Sequence, residues 1–152
     1  MIHIRCYNNA VADIFSLPIV VDTNVVFEGL TKQGSASDLI VTTWLAGLLN
    51  VYTSNALAYE YESTFSNKLS PIRWRQAKPL LLKMLKHVQF VPIYYSWRPL
   101  SPDPGDEHVI DCALNANATV ITANSRDFRK AQEEVGLLVL SPVEFVNQLI
   151  SR

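Results

Sequence analysis

The apolar residues of this chain fall into short continuous runs, and the stretches between them carry a helical period. Leu17-Pro-Ile-Val-Val21 is one such run. It ends at Asp22-Thr-Asn24 and predicts a buried strand with Asp22 at its carboxyl edge. Val51-Tyr-Thr53, Val88–Val91, Thr119–Thr122 and Leu137–Leu140 predict four more. Ser35–Asn50 predicts a helix capped by Ser35 or Ser37, with Leu39, Ile40, Trp44 and Leu48 on one broad face. Ser54 or Asn55 caps a helix to about Asn67, in which Leu57, Tyr61 and Phe65 recur by four. Pro71 suits the first turn of a helix through Lys86 that turns Leu81, Leu82 and Leu85 inward, and Pro79 should kink or divide it. A Pro-rich loop from Pro92 to Gly105 follows the third strand. Asp106–Ala116 and Asp127–Val135 predict two further helices, and Ser141-Pro142 opens a last one. Residues 1–16 have no clear period and read as an N-terminal arm on a single domain of residues 17–152.

Strands that alternate with helices predict a parallel sheet covered on both faces, a three-layer α/β/α fold with a short five-stranded sheet. Continuous apolar runs, rather than alternating ones, are what strands buried on both faces require. The length of 152 residues suits one domain, and 49% apolar against 18% charged residues excludes a disordered chain. No uncharged stretch is apolar enough for a membrane span of ~20 residues. The start, MIHIRCYNNAVADIF, lacks a signal-peptide pattern. Cys6 and Cys112 are too few and too far apart for a disulfide framework or a zinc site, so a cytoplasmic location is expected. The absence of GxGxxG and GxxxxGK[ST] argues against dinucleotide and P-loop folds. The net charge of −1 conceals three blocks, with −4 over residues 1–62, +7 over 63–102 and −4 over 103–152. That division suggests carboxylates gathered in one place and a cationic surface in another.

Open α/β sheets bind ligands beyond the carboxyl ends of their strands. Three acidic groups fall there: Asp22-Thr23-Asn24, Asp103-Pro-Gly-Asp106-Glu107 and Thr122-Ala-Asn124-Ser-Arg-Asp127. Asp22, Asp106 and Asp127 could each merely cap a helix. Several carboxylates within ~5 Å, however, need a counter-charge to stay ionised. Mg²⁺ or Mn²⁺, hard cations that take carboxylate oxygens, supply one. His3, His87 and His108 are scattered, which gives no support to a His-bound zinc or a Ser-His-Asp triad. Asp111 lies on a face turned from Asp106 and reads as an exposed or supporting acid. Glu60 and Glu62 flank the buried face of their helix by ~100° on opposite sides, so periodicity leaves both open.

Ile19-Val-Val-Asp22-Thr-Asn24 resembles the opening strand of PIN-domain nucleases. Asn55-Ala-Leu-Ala-Tyr-Glu60-Tyr-Glu62 resembles their acidic helix, and Asp103-Pro-Gly-Asp106-Glu-His-Val-Ile-Asp-Cys-Ala113 their acid-led helix. Val120-Ile-Thr-Ala-Asn124-Ser-Arg-Asp127-Phe128 resembles the segment bearing their last acid, and Leu138-Val-Leu-Ser-Pro-Val-Glu-Phe145 their closing strand and helix. The resemblance runs in order from about residue 18 to 149. It implies a metal-dependent RNA endonuclease, often the toxin of a VapC-like toxin–antitoxin pair. It makes Asp22, Glu60, Asp106 and Asp127 the four acids in turn, and Asn124 a polar neighbour. Gly105 departs from the family, where an acid often precedes the third.

On this reading Mg²⁺ or Mn²⁺ is held by Asp22 and Asp106 most directly and by Asp127. Glu60 and Asp127 bind a second ion or orient waters, and water is the attacking group. Thr23, Asn24, Thr122 and Asn124 hold waters or a phosphate oxygen. Lys68, Arg73, Arg75 and Lys78 neutralise the RNA backbone. Trp74, Tyr94, Tyr95 and Trp97 stack on bases or pack in an interface. The expected partners are RNA, an antitoxin protein and a second copy of the chain in a closed homodimer, with no membrane. The main rival is the same fold with too few acids to hold metal, used as an RNA- or protein-binding module. A receiver-like phosphoacceptor would want a Lys after a late strand. A haloacid-dehalogenase phosphatase would want Asp where Asn24 stands.

Overall fold

The structure is a computed structural model that describes residues 13–151. Most of the arm expected over residues 1–16, including His3 and Cys6, lies outside the described residues. Its last part forms a 3₁₀ turn, Asp13–Phe15, which buries Ile14. The Ser16 carbonyl accepts a hydrogen bond from the Asn50 amide.

All five predicted strands form: β1 (Pro18–Val21), β2 (Asn50–Thr53), β3 (Val88–Phe90), β4 (Thr119–Ile121) and β5 (Val139–Leu140). They build one parallel sheet in the order β3-β2-β1-β4-β5. Among the described residues seven α-helices accompany it: α1 (Thr23–Thr31), α2 (Ala36–Leu45), α3 (Asn55–Lys68), α4 (Pro71–Leu85), α5 (Asp106–Ala116), α6 (Arg129–Val135) and α7 (Pro142–Ile150). From β1 the chain steps outward to β2 and β3, then crosses back to β4 and β5. Right-handed crossovers therefore put α1–α4 on one face and α5 and α6 on the other, the three layers expected. The contacts agree, since α1, α2, α3 and α4 pack among themselves and α5 lies on β1, β2 and β4. The reversal falls between β1 and β4, and a crevice opens there at the carboxyl ends of the two strands.

Several local expectations are corrected. The helix begun at Ser35 ends at Leu45, because Gly47 turns the chain at a φ of +76°. Its buried apolar side chains are Ile40, Val41 and Trp44, whereas Leu39 and Leu48 are exposed, so the apolar stripe is rotated from the one inferred. Val41 meets Gly29 of α1 so closely that a Cβ at position 29 would stand 2.3 Å from Val41 Cγ2. Pro71 opens α4 as expected, but the helix runs on through Pro79 undivided. Leu81 is buried and Leu85 packs against the core as expected, but Met84 joins them and Leu82 is exposed. The segment predicted as one helix from Asp127 is a 3₁₀ turn, Ser125–Phe128, followed by α6. Trp74, expected outside the core, is half-buried with its ring 6.1 Å from Phe65.

The core face of α3 is the predicted one, with Leu57, Tyr61 and Phe65 fully buried. Tyr61 also donates its hydroxyl to the Val21 carbonyl. That bond ties α3 to the end of β1 and sets its neighbour Glu60 over the crevice. Among the described residues, no helix is long and apolar enough to cross a membrane.

Candidate metal centre

Asp22 follows β1 directly. Its backbone amide donates to the Ile121 carbonyl, so the β1–β4 ladder reaches as far as this residue. The side chain is buried and makes no capping bond to α1, which removes the simplest structural reading of it. Instead its Oδ2 accepts the Thr122 hydroxyl at 2.7 Å, across the sheet's switch point. Burial holds the Asp22 carboxyl above its ordinary range. The Thr122 hydroxyl and the Thr23 amide oppose that rise, and the charges of Asp103 and Asp127 add to it.

Glu60 approaches from α3. Its Oε2 lies 3.2 Å from where a Cβ on Gly105 would stand, and Asp103 Oδ1 lies 3.4 Å from the same point. The missing side chain at position 105 is what lets these two acids draw close. Glu60 Oε1 is buried and has no hydrogen-bond partner among the described residues. Burial first, and then the charges of Asp22 and Asp103, push the Glu60 carboxyl up to about 7. Glu62 faces elsewhere, into a groove between α3 and α4 that it shares with Tyr59, Trp74 and Lys78. The choice that periodicity left open falls to Glu60 on geometry.

Asp106 occupies the first turn of α5, and Asp127 the 3₁₀ turn after β4. Together with Asp103 they bring one carboxylate oxygen each to within 4.8 Å of one another. Neither Asp106 nor Asp127 is a helix cap, for Gly105 and Asn124 hold those positions. Ser101 donates its hydroxyl to Asp106 Oδ2 at 3.3 Å. Asn124 donates its amide to Asp127 Oδ2 at 2.6 Å. Burial, followed by the charges of Asp22, Asp103 and Asp127, pushes the Asp106 carboxyl to about 7. The sequence places Asp103 at the head of an acidic strand-end group without giving it a role, and the structure brings it into the cluster. Gly105 supplies no acid, and Asp103 brings one to the cluster from two residues earlier.

The remaining candidates scatter around this centre. Thr122 and Asn124 touch it through Asp22 and Asp127. Thr23 is buried, its hydroxyl unbonded among the described residues, and Asn24 is exposed. Lys68, Arg73, Arg75 and Lys78 are exposed on the end of α3 and on α4. Lys68 follows Glu60 by eight residues, about 12 Å along the helix at 1.5 Å per residue. Its ammonium sits 5.0 Å from the Phe27 ring centre, and that of Lys78 lies 5.9 Å from Trp74. Of the two readings of Asp111, exposed or supporting, the exposed one is excluded. The residue is buried and paired with Arg98 at 2.8 Å, which takes that base out of the cationic surface.

Among the described residues the two ion pairs are Lys32–Glu28 and Arg98–Asp111, so no cationic side chain pairs with the clustered acids. Among the described residues, five carboxyl groups thus share a small region with no ion-paired cation, and the buried Glu60 Oε1 lacks a donor. Every donor atom is a hard carboxylate oxygen. This set fits a hard divalent cation and does not fit soft or imidazole-seeking metals.

Comparison with known proteins bears on this site. Residues 18–126 match the PIN domain family. No curated protein sequence matches the chain. Among solved structures, VapBC2 from Rickettsia felis bound to a DNA fragment from their promoter superposes with a TM-score of 0.58 at 14% identity, covering 82% of this chain and 98% of the other. FitAcB from Neisseria gonorrhoeae gives 0.56 at 18% identity, covering 82% and 98%. VapBC-1 from nontypeable Haemophilus influenzae gives 0.55 at 15%, covering 84% and 99%. At these identities the likeness is one of fold.

Proposed function

The chain belongs to the PIN-domain family, and from that premise we propose that it is a metal-dependent endoribonuclease, the toxin of a toxin–antitoxin pair. The observation that carries this reading is the meeting of Asp22, Glu60, Asp103, Asp106 and Asp127 at the sheet's switch point without a cationic partner. Asp22, Asp106 and Asp127, joined by Asp103, would hold Mg²⁺ or Mn²⁺. The ion supplies a Lewis acid that polarises a phosphodiester and lowers the pKa of the attacking water.

The chain's own groups do the rest. Thr122 fixes the rotamer of Asp22, and Asn124 that of Asp127. Glu60 keeps Oε1 free of protein donors, so it can orient a water or take its proton there. None of these side chains is a suitable covalent nucleophile, which leaves water as the attacking group. Lys68, Arg73, Arg75 and Lys78, exposed and free of ion pairs among the described residues, meet the RNA backbone. Trp74 is half-buried against Phe65, so base stacking falls to exposed Tyr94, Tyr95 and Trp97. The fold neighbours are VapBC and Fit complexes, which supports an antitoxin protein as a partner.

The test is cleavage of single-stranded RNA in Mg²⁺ or Mn²⁺. Asp22→Asn and Asp106→Asn should each abolish it while the protein stays folded. Cleavage that survives both substitutions and a chelator refutes the metal mechanism. RNA binding without cleavage in either metal would make the chain a binding module.

A further inference from the structure

The loop from Pro92 to Gly105 contains no helix or strand, yet it delivers Asp103 to the acid cluster. It is held in place by side chains of α5. The Asn115 side chain accepts from the Tyr94 amide and donates to the Tyr95 carbonyl. Asp111 takes the Ser96 hydroxyl on one oxygen and the Arg98 guanidinium on the other. Nearest the cluster, Glu107 Oε2 accepts the backbone amides of Leu100 at 2.8 Å and Ser101 at 3.1 Å. Glu107 is 5% exposed. Burying a carboxylate is costly unless it gains strong hydrogen bonds; two amides and the positive end of α5 supply them to Oε2, while Oε1 is buried with no hydrogen-bond partner among the described residues.

Ser101 links this clamp to the cluster. Its hydroxyl oxygen accepts the Asp103 amide at 3.1 Å and donates to Asp106 Oδ2 at 3.3 Å. One buried acid therefore fixes a backbone segment, and one hydroxyl on that segment bridges the backbone amide of Asp103 and the carboxylate of Asp106. We propose that Glu107 is a positioning residue, acting through Ser101 to hold Asp103 beside Asp106 and so pre-form the oxygen cluster that takes the divalent ion. This role rests on the metal-binding reading above. Removing a group that orients metal ligands typically weakens metal affinity roughly 10–100-fold.

The experiment is Mn²⁺ titration calorimetry on the full chain, together with amide hydrogen exchange of the metal-free protein. Glu107→Ala should bind Mn²⁺ at least about tenfold more weakly than the parent. Glu107→Gln, whose one carbonyl oxygen can still accept both amides, should recover most of the affinity. The Leu100 and Ser101 amides should exchange slowly in the parent and in Glu107→Gln, and fast in Glu107→Ala. Ser101→Ala, which leaves Glu107 intact, should weaken Mn²⁺ while those two amides stay protected. Equal affinity in parent and Glu107→Ala overturns the proposal, and so does a Gln variant as weak as the Ala variant. If Glu107→Ala does not fold, Ser101→Ala decides, and unchanged affinity there overturns it. A parent that binds no Mn²⁺ at all refutes the metal site itself and this role with it.

Discussion

Replacing Asp106 with Asn should stabilise the metal-free protein at pH 8 and leave it almost unchanged at pH 4. The folded Asp106 carboxyl titrates near 7, whereas its ordinary value is 3.8. A carboxyl whose folded pKa is raised binds its proton more tightly in the folded chain than in the unfolded one. Folding stability therefore falls as pH rises from about 4 to about 7, and the full loss is present above that window. A shift of roughly three units at 1.36 kcal/mol each would cost about 4 kcal/mol for a fully enclosed group. Asp106 is half-buried, and solvent screening reduces this to about 1–2 kcal/mol. Asn removes the charge and keeps an oxygen for the Ser101 hydroxyl. For a chain of this size the gain corresponds to a rise in Tm of about 2–8 °C. Calorimetric melts of parent and variant in chelator at pH 4 and pH 8 measure it directly. Millimolar Mn²⁺ should reverse the order at pH 8, because a ligand stabilises only the state that binds it. A Tm difference that is absent at pH 8, or equal at both pH values, would refute the claim that this carboxylate is held at an electrostatic cost.

Other outcomes follow from the packing and the surface. Gly29→Ala must displace Val41 and the Ser37 carbonyl, which stand 2.3 Å and 2.6 Å from the new methyl, and should destabilise by about 1–3 kcal/mol in urea titration. Tyr61→Phe leaves the buried Val21 carbonyl without its donor and should cost about 1–3 kcal/mol; a neutral result would mean that the carbonyl finds another partner. Tyr94, Tyr95 and Trp97 are exposed at 81%, 58% and 44%, so light scattering should give a mass twice 17.1 kDa. A concentration-independent mass of 17.1 kDa would remove the homodimer.

Periodicity and strand-end logic reached the architecture and most of the acids, for a physical reason. In an open sheet the switch point is set by connectivity, and Asp22, Asp106 and Asp127 sit at fixed offsets from strands that apolar runs make visible. Other features depended on tertiary contact. The face of α2 turns on Gly29, whose bare backbone draws Val41 inward at the expense of Leu39. Met84 displaces Leu82 as an inward residue of α4 and accepts the Trp44 indole on its carbonyl, a pairing no local pattern encodes. Glu60 and Glu62 are symmetric about their helix's core face, so only the tertiary fold separates them, setting Glu60 toward Asp22 and Asp103 and Glu62 into the groove between α3 and α4. The roles of Asp103, Glu107 and Asp111 were not legible, because the path of an irregular loop is written in hydrogen bonds to the helix that follows it, and those leave no period.

The central strand also sets a timetable. Ile19 pairs with Val51 on one side and with Thr119 on the other. During synthesis at roughly 5–20 residues per second, the hundred residues separating Ile19 from Thr119 take about 5–20 s to appear. Until then β1 can have β2 as a neighbour but not β4, and one side of it remains an open edge. Thr122, which fixes Asp22, and Asp127 both come later still. A chain stopped short of Thr122 holds Asp22 and Glu60 but lacks the partners that make them a site, so translation into its last quarter is itself a condition for the acid cluster to exist.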